Sequence, residues 1–69
     1  MLKIGTYQHF KGSYYQVLHI ARHSETEEYM VVYHPADNKE DIWLRPLDMF
    51  DEMIERDGKT LKRFSFVKP

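Results

Sequence analysis

The stretch YYQVLHIARH, residues 14–23, decides the fold class. β-Branched and aromatic side chains are frequent in it, and these residue types fit the pleated surface of a sheet. In a strand, alternate residues share a face. One face is then predicted to carry Tyr15, Val17, His19, Ala21 and His23, and the other Gln16, Leu18, Ile20 and Arg22. Both faces are partly apolar, so we expect a strand that is covered on both sides or sharply bent.

Further short strands and one helix are predicted around this strand. Residue types and turn signals place the strands at residues 5–10, 28–34, 41–45 and 62–67. Pro46 ends the strand before it and can open a helix, because its fixed φ suits the first helical turn. The predicted helix ends at Asp57-Gly58 and has apolar residues at helical spacing: Leu47, Phe50, Met53 and Ile54. Short strands with turns between them and one helix are typical of a small curled sheet or barrel.

Length and composition exclude several classes of protein. The chain has 69 residues, no cysteine and a formal net charge of −1. This length allows one domain, and the lack of cysteine excludes disulfides and thiolate metal sites. No apolar run reaches the roughly 20 residues of a membrane span, and residues 1–5 lack a signal peptide's apolar segment, so we expect a cytoplasmic protein without membrane contact. The net charge removes generic attraction to nucleic acid but leaves room for a local basic patch.

The chain also resembles a known family through groups of residues that match in order. The groups are Tyr7-x-His9-Phe10-Lys11-Gly12-x-x-Tyr15-x-Val17, Ala21-x-His23-Ser24-Glu25-Thr26-x-Glu28, Val32-Tyr33 and Trp43-x-Arg45-Pro46-x-x-Met49-Phe50. They closely resemble the DUF1653 family of small bacterial domains over about residues 5–66. The resemblance implies a mainly β, SH3-like barrel of about five short strands and one short helix, as a single domain over residues 1–69. It implies no biochemical function, because the family has none assigned.

Candidate functional residues lie in three polar and aromatic patches near strand ends, at residues 7–12, 21–26 and 43–46. Arg45 offers a planar fork of donors suited to a carboxylate, a phosphate or a base edge. Trp43, on the same predicted strand face, offers a surface for stacking or cation–π contact. The predicted ligand-binding residues are His9, Lys11, Arg22, His23, Ser24, Glu25, Trp43 and Arg45. They form one site only if the fold brings the three patches together.

A purely structural interpretation of the same residues stays open. In it, Trp43 caps the core, and Arg45 pairs with Glu25 or Glu28. No metal site or cofactor is predicted, because His19 and His23 would lie about 13 Å apart at roughly 3.3 Å per strand residue.

An enzymatic interpretation rests on the sequence His23-Ser24-Glu25. Neighbouring side chains on an extended backbone point to opposite faces, so these three residues cannot form a nucleophile–base–orienter array by themselves. His23 and Glu25 could share a face, with Glu25 orienting the imidazole. However, the chain has no nucleophile elbow and no phosphate-binding loop. Enzymatic activity is therefore the less favoured hypothesis.

Three function classes follow. The favoured one is a small non-catalytic binding module that recognises a peptide, a protein or a small anionic ligand. The alternatives are a binder of single-stranded RNA or other nucleic acid, since small barrels stack unpaired bases on aromatic side chains, and a small hydrolase that uses His23 and Glu25. A monomer or weak dimer is expected.

Overall fold

The computed structural model describes residues 1–69, and more than half of them lie in β-strands. In chain order the elements are β1 (Gly5–His9), β2 (Tyr14–Arg22), β3 (Tyr29–Pro35), β4 (Trp43–Pro46), α1 (Leu47–Phe50), β5 (Met53–Arg56), β6 (Lys59–Lys62) and β7 (Phe64–Lys68). The prediction of a mainly β fold with one short helix is confirmed. No helix is long or apolar enough to cross a membrane.

The strands form two antiparallel sheets. Five strands make the main sheet in the order β4-β3-β2-β1-β7, and β5 and β6 form a separate hairpin. Because β4 and β7 stand at opposite ends of that order, the main sheet has two open edges and does not close. The SH3-like barrel is therefore not confirmed, and there are seven strands instead of about five.

A bulge in β2 explains why that strand looks apolar on both faces. Val17 pairs with Tyr33, whereas His19 pairs with Val32, so one additional residue of β2 is accommodated between the two pairs. The additional residue reverses the alternation of side chains in the second half of the strand. Ile20, which the simple alternation places opposite to Val17, packs against the same core as Val17. The prediction of two uninterrupted faces along residues 14–23 is thus wrong beyond Val17.

The core lies on one face of the main sheet, called the inner face here. Its buried side chains are Tyr7, Val17, Val31, Tyr33, Phe50 and Phe64. Phe50 of α1 packs across the sheet, and its ring stacks on that of Phe64 with centroids 4.0 Å apart and planes 3° apart. The same ring makes edge contacts of 5.3 Å with Tyr7 and Tyr33. One helical residue thus covers the centre of the inner face.

The helix is shorter than its apolar spacing predicts. It ends at Phe50, and Met53 and Ile54 lie in β5, where they pair with Lys62 and Leu61. The hairpin turn Asp57-Gly58 provides the reason. Both of its residues have positive φ, 53° and 76°, as a two-residue turn between twisted strands requires. The Asp-Gly signal therefore marks a hairpin and not a helix end.

The β5–β6 hairpin is held to the rest of the chain by polar contacts at its base. The backbone N–H of Arg63 donates to the carbonyl of Glu52 at 3.0 Å, and the two side chains form an ion pair at 2.6 Å. Lys62 and Asp51 form a second ion pair at 2.6 Å. Because Phe64 starts β7 directly after Arg63, these contacts also fix where β7 begins.

The central place of Phe50 gives a testable prediction for stability. Phe50→Ala removes the ring that contacts Tyr7, Tyr33 and Phe64, and the small chain has little other core to compensate. We expect a loss of about 3–5 kcal/mol in the free energy of unfolding, measured by urea denaturation. Met49→Ala, at an exposed position one residue earlier, is the control and should cost less than about 1 kcal/mol. Similar losses in the two variants would contradict this account of the core.

Candidate functional site

The inner face continues beyond the core into a partly open surface built from several strands. Five side chains form this aromatic–arginine surface: His9, Tyr15, Trp43, Arg45 and Phe64. The strand register explains why they meet. Trp43 is paired with buried Tyr33 and Arg45 with buried Val31, and residues paired across an antiparallel sheet share a face. His9 is paired with Phe64 in the same way.

Aromatic contacts hold the surface together. The ring centroid of Tyr15 lies 5.6 Å from Phe64, 5.9 Å from Trp43 and 6.4 Å from His9. Trp43 also makes an edge contact of 5.9 Å with Tyr33. These separations are typical of favourable aromatic pairs. Trp43 keeps 41% of its surface exposed, so it borders the core without being enclosed by it.

Arg45 is held in place by neutral groups. Its Nε donates to the hydroxyl of Tyr33 at 3.3 Å, and its guanidinium carbon lies 5.7 Å from the centroid of Phe64. The side chain is half-buried. The three ion pairs of the chain are Arg22–Glu27, Lys62–Asp51 and Arg63–Glu52, so Arg45 pairs with neither Glu25 nor Glu28. Its terminal N–H groups donate to no other side chain or carbonyl of the protein.

His9 adds a hydrogen-bond donor to the surface, and its pKa responds to burial and to the charges nearby. Its Nδ1 accepts the backbone N–H of Lys11 at 3.2 Å, which places the proton of the neutral ring on Nε2. Burial is the first cause that holds the pKa of His9 below its ordinary value of 6.5. The positive charges of Arg63, Lys11 and Arg45 lower the same pKa further. The region around His9 is thus electropositive, although the whole chain carries a net charge of −1.

One more basic side chain, which the sequence did not single out, borders this region. Arg56 of the hairpin lies over the ring of Phe10, with its guanidinium carbon 5.2 Å from the centroid. Lys11 approaches the same ring at 5.8 Å. An Asp-Gly hairpin signal at Asp57-Gly58 could have predicted that the segment folds back. The sequence gives no indication that it folds toward Phe10.

The second predicted patch lies elsewhere on the sheet. Arg22 pairs with Tyr29 across the sheet, whereas Trp43 pairs with Tyr33. Those two partners are four residues apart on β3, or about 13 Å at roughly 3.3 Å per residue. No side-chain hydrogen bond, ion pair or ring contact joins residues 22–25 to Trp43 or Arg45. The structure therefore brings His9, Lys11, Trp43 and Arg45 together and leaves residues 22–25 apart.

Within that second patch, the side chains interact with their own loop. Arg22 donates to the hydroxyl of Tyr29 at 2.7 Å, lies 4.6 Å above its ring and pairs with Glu27 at 3.7 Å. The Nδ1 of His23 accepts the backbone N–H groups of Glu25 at 3.1 Å and Thr26 at 3.3 Å. Further backbone bonds close the loop around Glu27, which has a φ of 63°. His23 thus stabilises the β2–β3 turn.

This geometry does not support a hydrolase that uses His23 and Glu25. In such a hydrolase, the carboxylate accepts a hydrogen bond from one ring nitrogen, and the other ring nitrogen acts as the base. The loop amides already occupy Nδ1 of His23, so only Nε2 remains for both tasks. The side chains of Ser24 and Glu25 are exposed. No group of three or more His, Cys, Asp or Glu side chains is arranged to hold a metal ion.

An open cavity adjoins the aromatic–arginine surface at Tyr15. Its volume is about 300 Å³, and its lining comprises Ser13, Tyr14, Tyr15, Pro35, Ala36 and Asp37. This volume lies at the lower end of the range found for sites that bind small molecules.

The role of His23 in the turn can be tested. His23→Ala leaves two amide N–H groups without their acceptor, so we expect a loss of about 1–2 kcal/mol in the free energy of unfolding. His23→Asn retains an acceptor oxygen at the end of a short side chain and should recover most of the loss. Ser24→Ala, at an exposed neighbouring position, is the control. An unchanged stability of His23→Ala in urea denaturation would show that the turn does not need the imidazole.

Comparisons with known proteins agree with this fold. Residues 5–66 match the family described as "Protein of unknown function (DUF1653)". No curated protein matches the chain. Among solved structures, the chain is similar to the crystal structure of a DUF1653 protein from Bordetella bronchiseptica, with 32% identity and a TM-score of 0.83. The match covers 96% of this chain and 87% of the other. With the family match spanning nearly all of its strands and a solved member sharing its fold, the chain belongs to the DUF1653 family.

Proposed function

We propose that this protein is a small non-catalytic binding module that holds a carboxylate- or phosphate-bearing ligand on its aromatic–arginine surface. The observation that carries the proposal is that Arg45 is fixed in position without an acidic partner. Its guanidinium is half-buried, fixed by Tyr33 and Phe64, and has no carboxylate partner. Arg22 and Arg63, in contrast, each have an acidic partner.

A fixed guanidinium favours binding in two ways. Its orientation is already restricted by the Tyr33 hydroxyl and the Phe64 ring, so less side-chain entropy is lost when a ligand binds. Its remaining N–H donors can form charge-assisted hydrogen bonds with two oxygens of one anion. Both effects favour a planar carboxylate or a phosphate over a neutral ligand.

The charges near the site select against cations. Aromatic side chains such as Trp43 and Tyr15 can attract a cation to their ring faces. Here, however, the positive charges of Arg63, Lys11 and Arg45 add to the effect of burial in lowering the pKa of His9. The same charges repel a cationic ligand. Trp43 and Tyr15 therefore serve as an apolar contact for the ring or chain that carries the anionic group.

The proposal uses only part of the residue set predicted from the sequence. His9, Lys11, Trp43 and Arg45 are proposed as ligand-binding residues, together with Tyr15. The four residues of the β2–β3 turn, Arg22, His23, Ser24 and Glu25, are proposed to act in the structure of that turn. Their hydrogen bonds within the turn, and the lack of a side-chain hydrogen bond or ion pair between them and Arg45, support this division.

Binding of single-stranded RNA is the second candidate. It is favoured by the position of Lys11 and Arg56, which both lie against the ring of Phe10 without an acidic partner. Together with Arg45 they supply three cations near exposed aromatic rings, as in proteins that bind single strands. This candidate predicts affinity that falls steeply with salt.

The main proposal can be tested with phenyl phosphate, which joins an aromatic ring to an anion. We expect amide NMR shifts at residues 9, 15, 43 and 45, and a roughly tenfold weaker affinity, about 1.4 kcal/mol, for Arg45→Gln. Arg22→Gln is the matched control, because Arg22 is an arginine outside the proposed site. Benzylamine, a cation of similar shape, should not bind.

Three outcomes of this titration are informative. Equal losses in Arg45→Gln and Arg22→Gln would contradict the proposed site. Binding of benzylamine as tight as that of phenyl phosphate would contradict the preference for anions. A short single-stranded RNA that binds far more tightly than phenyl phosphate, with a steep dependence on salt, would favour the second candidate.

The lowered pKa of His9 predicts a pH dependence. In the free protein the pKa lies below 6.5, so the ring is neutral at pH 7.5. A bound anion favours the protonated ring, so binding takes up a proton and strengthens as the pH falls. Sulfate, whose charge is constant in this range, should bind about threefold more tightly near pH 5.5 than near pH 7.5. Isothermal titration calorimetry measures the ratio.

The control for this prediction is His9→Asn, which keeps an acceptor for the Lys11 amide and removes the titration. The other histidines are unchanged, so a pH dependence that persists in His9→Asn would exclude His9 as its source. The free protein should also lose stability as the pH falls below 6.5, because the unfolded chain then binds more protons than the folded one.

A further inference from the structure

The two edges of the main sheet differ in the side chains that they present. Strands at a sheet edge offer unpaired N–H and C=O groups, and proteins usually blunt them with charges, lysines or prolines. The β7 edge ends with Lys68 and Pro69. The β4 edge has the sequence Trp43-Leu44-Arg45-Pro46, with Trp43 and Leu44 exposed by 41% and 60%. The β7 edge also has exposed apolar side chains, Phe66 and Val67, so the feature that distinguishes β4 is its arginine without an acidic partner.

The β4 edge also contains both main residues of the proposed binding site. Trp43 and Arg45 lie on the inner face, since they pair with Tyr33 and Val31. Leu44 lies on the opposite face, where it pairs with Val32. An edge strand thus presents an apolar ring and an unpaired cation two residues apart. Any strand that pairs with β4 must place its own alternate side chains beside these two groups.

We propose that β4 binds an extended peptide as an additional strand, with an acidic side chain of the peptide beside Arg45 and an aromatic side chain beside Trp43. This inference rests on the proposed function, because it assigns the anion on Arg45 to a peptide carboxylate. Strand addition derives affinity from main-chain hydrogen bonds and specificity from alternate side chains. The peptide pattern is aromatic–apolar–acidic, or its reverse, because paired side chains on one face are two residues apart.

Cross-strand distances suit this pairing. Side chains directly opposite each other in a sheet have Cβ atoms about 4.5–5.5 Å apart, within reach of a carboxylate and a guanidinium. The middle residue of the peptide falls beside Leu44, whose exposed side chain favours an apolar partner. Pro46 has no N–H and ends the ladder, so the added strand is short. Side-chain matching must therefore supply much of the selectivity.

Charge favours a peptide over a second copy of this chain that pairs through Leu44 or Arg45. In an antiparallel two-fold pairing, the central residue lies opposite its equivalent in the other strand, and the residues next to it lie diagonal to theirs. A pairing centred on Leu44 or Arg45 would bring the two Arg45 side chains diagonal or opposite to each other. Neither Trp43, Leu44 nor Pro46 offers an acid to separate them. An acidic peptide instead supplies the missing carboxylate.

Trp43 is the single tryptophan of the chain, so its fluorescence reports directly on this edge. The probes are two acetylated and amidated hexapeptides with the central sequences Tyr-Val-Glu and Glu-Val-Tyr. We expect a change in Trp43 emission and amide NMR shifts at residues 43–46 with at least one of them. Replacing the peptide glutamate with glutamine, or using the protein variant Arg45→Gln, should weaken binding by about fivefold or more.

Backbone N-methylation distinguishes strand addition from side-chain binding. In a β-ladder, alternate residues of the peptide direct their N–H groups toward the protein. Of two peptides methylated at adjacent positions, one should lose binding and the other should retain it. The amide spectrum of each protein variant verifies that it is folded.

The remaining outcomes separate the two proposals. If both methylated peptides bind like the parent while phenyl phosphate still requires Arg45, strand addition is wrong and the proposed function stands. If neither the peptides nor phenyl phosphate depend on Arg45, both are wrong. Sedimentation that shows a dimer whose formation blocks the peptides would overturn the inference in favour of a second copy on the β4 edge.

Discussion

The stacking of Phe50 on Phe64 is the contact on which the rest of the structure depends. The two rings lie 4.0 Å apart and nearly parallel, at the centre of a core with only six clustered side chains. A chain of this size buries little surface, so each large core ring contributes a substantial share of the total stability. Phe50 comes from a helix of four residues, which is held by this packing and not by its own hydrogen bonds.

The same aromatic rings serve both the core and the candidate site. Phe64 stacks on Phe50 and lies beneath Arg45, while Tyr33 packs in the core and accepts a hydrogen bond from Arg45. The guanidinium therefore keeps its position only while the core is intact. This coupling restricts the motion of Arg45, which favours binding, but it also means that changes in core packing alter the site.

The sequence predicts part of this arrangement and fails where backbone geometry intervenes. Residue type and alternation suffice to place Trp43 and Arg45 on one strand face, because that strand is short and regular. The bulge beyond Val17 has no comparable signal, since both possible faces of β2 carry apolar residues. The predicted helix is too long for a different reason. The apolar spacing from Leu47 to Ile54 outweighed the Asp-Gly turn, which has the more specific backbone requirement.

The candidate site is harder to predict because it depends on sheet order. Polar residues at 22–25 and 43–45 look equivalent in the sequence, and only the folded structure shows that their side chains make no hydrogen bond or ion pair with each other. His23 illustrates a further difficulty. Its Nδ1 accepts loop amides, a role that a histidine in a turn shares with asparagine and aspartate, and nothing in the residue type separates this role from ligand binding.

Local charge matters more for this protein than its net charge. The acidic residues Asp51, Glu52 and Glu27 pair with Lys62, Arg63 and Arg22, and none of them pairs with Arg45. Burial lowers the pKa of His9 most, and the positive charges of Arg63, Lys11 and Arg45 lower it further. A net charge of −1 is therefore compatible with a surface that attracts anions. Since that surface adjoins an open strand edge, the ligand best matched to both features carries a carboxylate on an extended backbone.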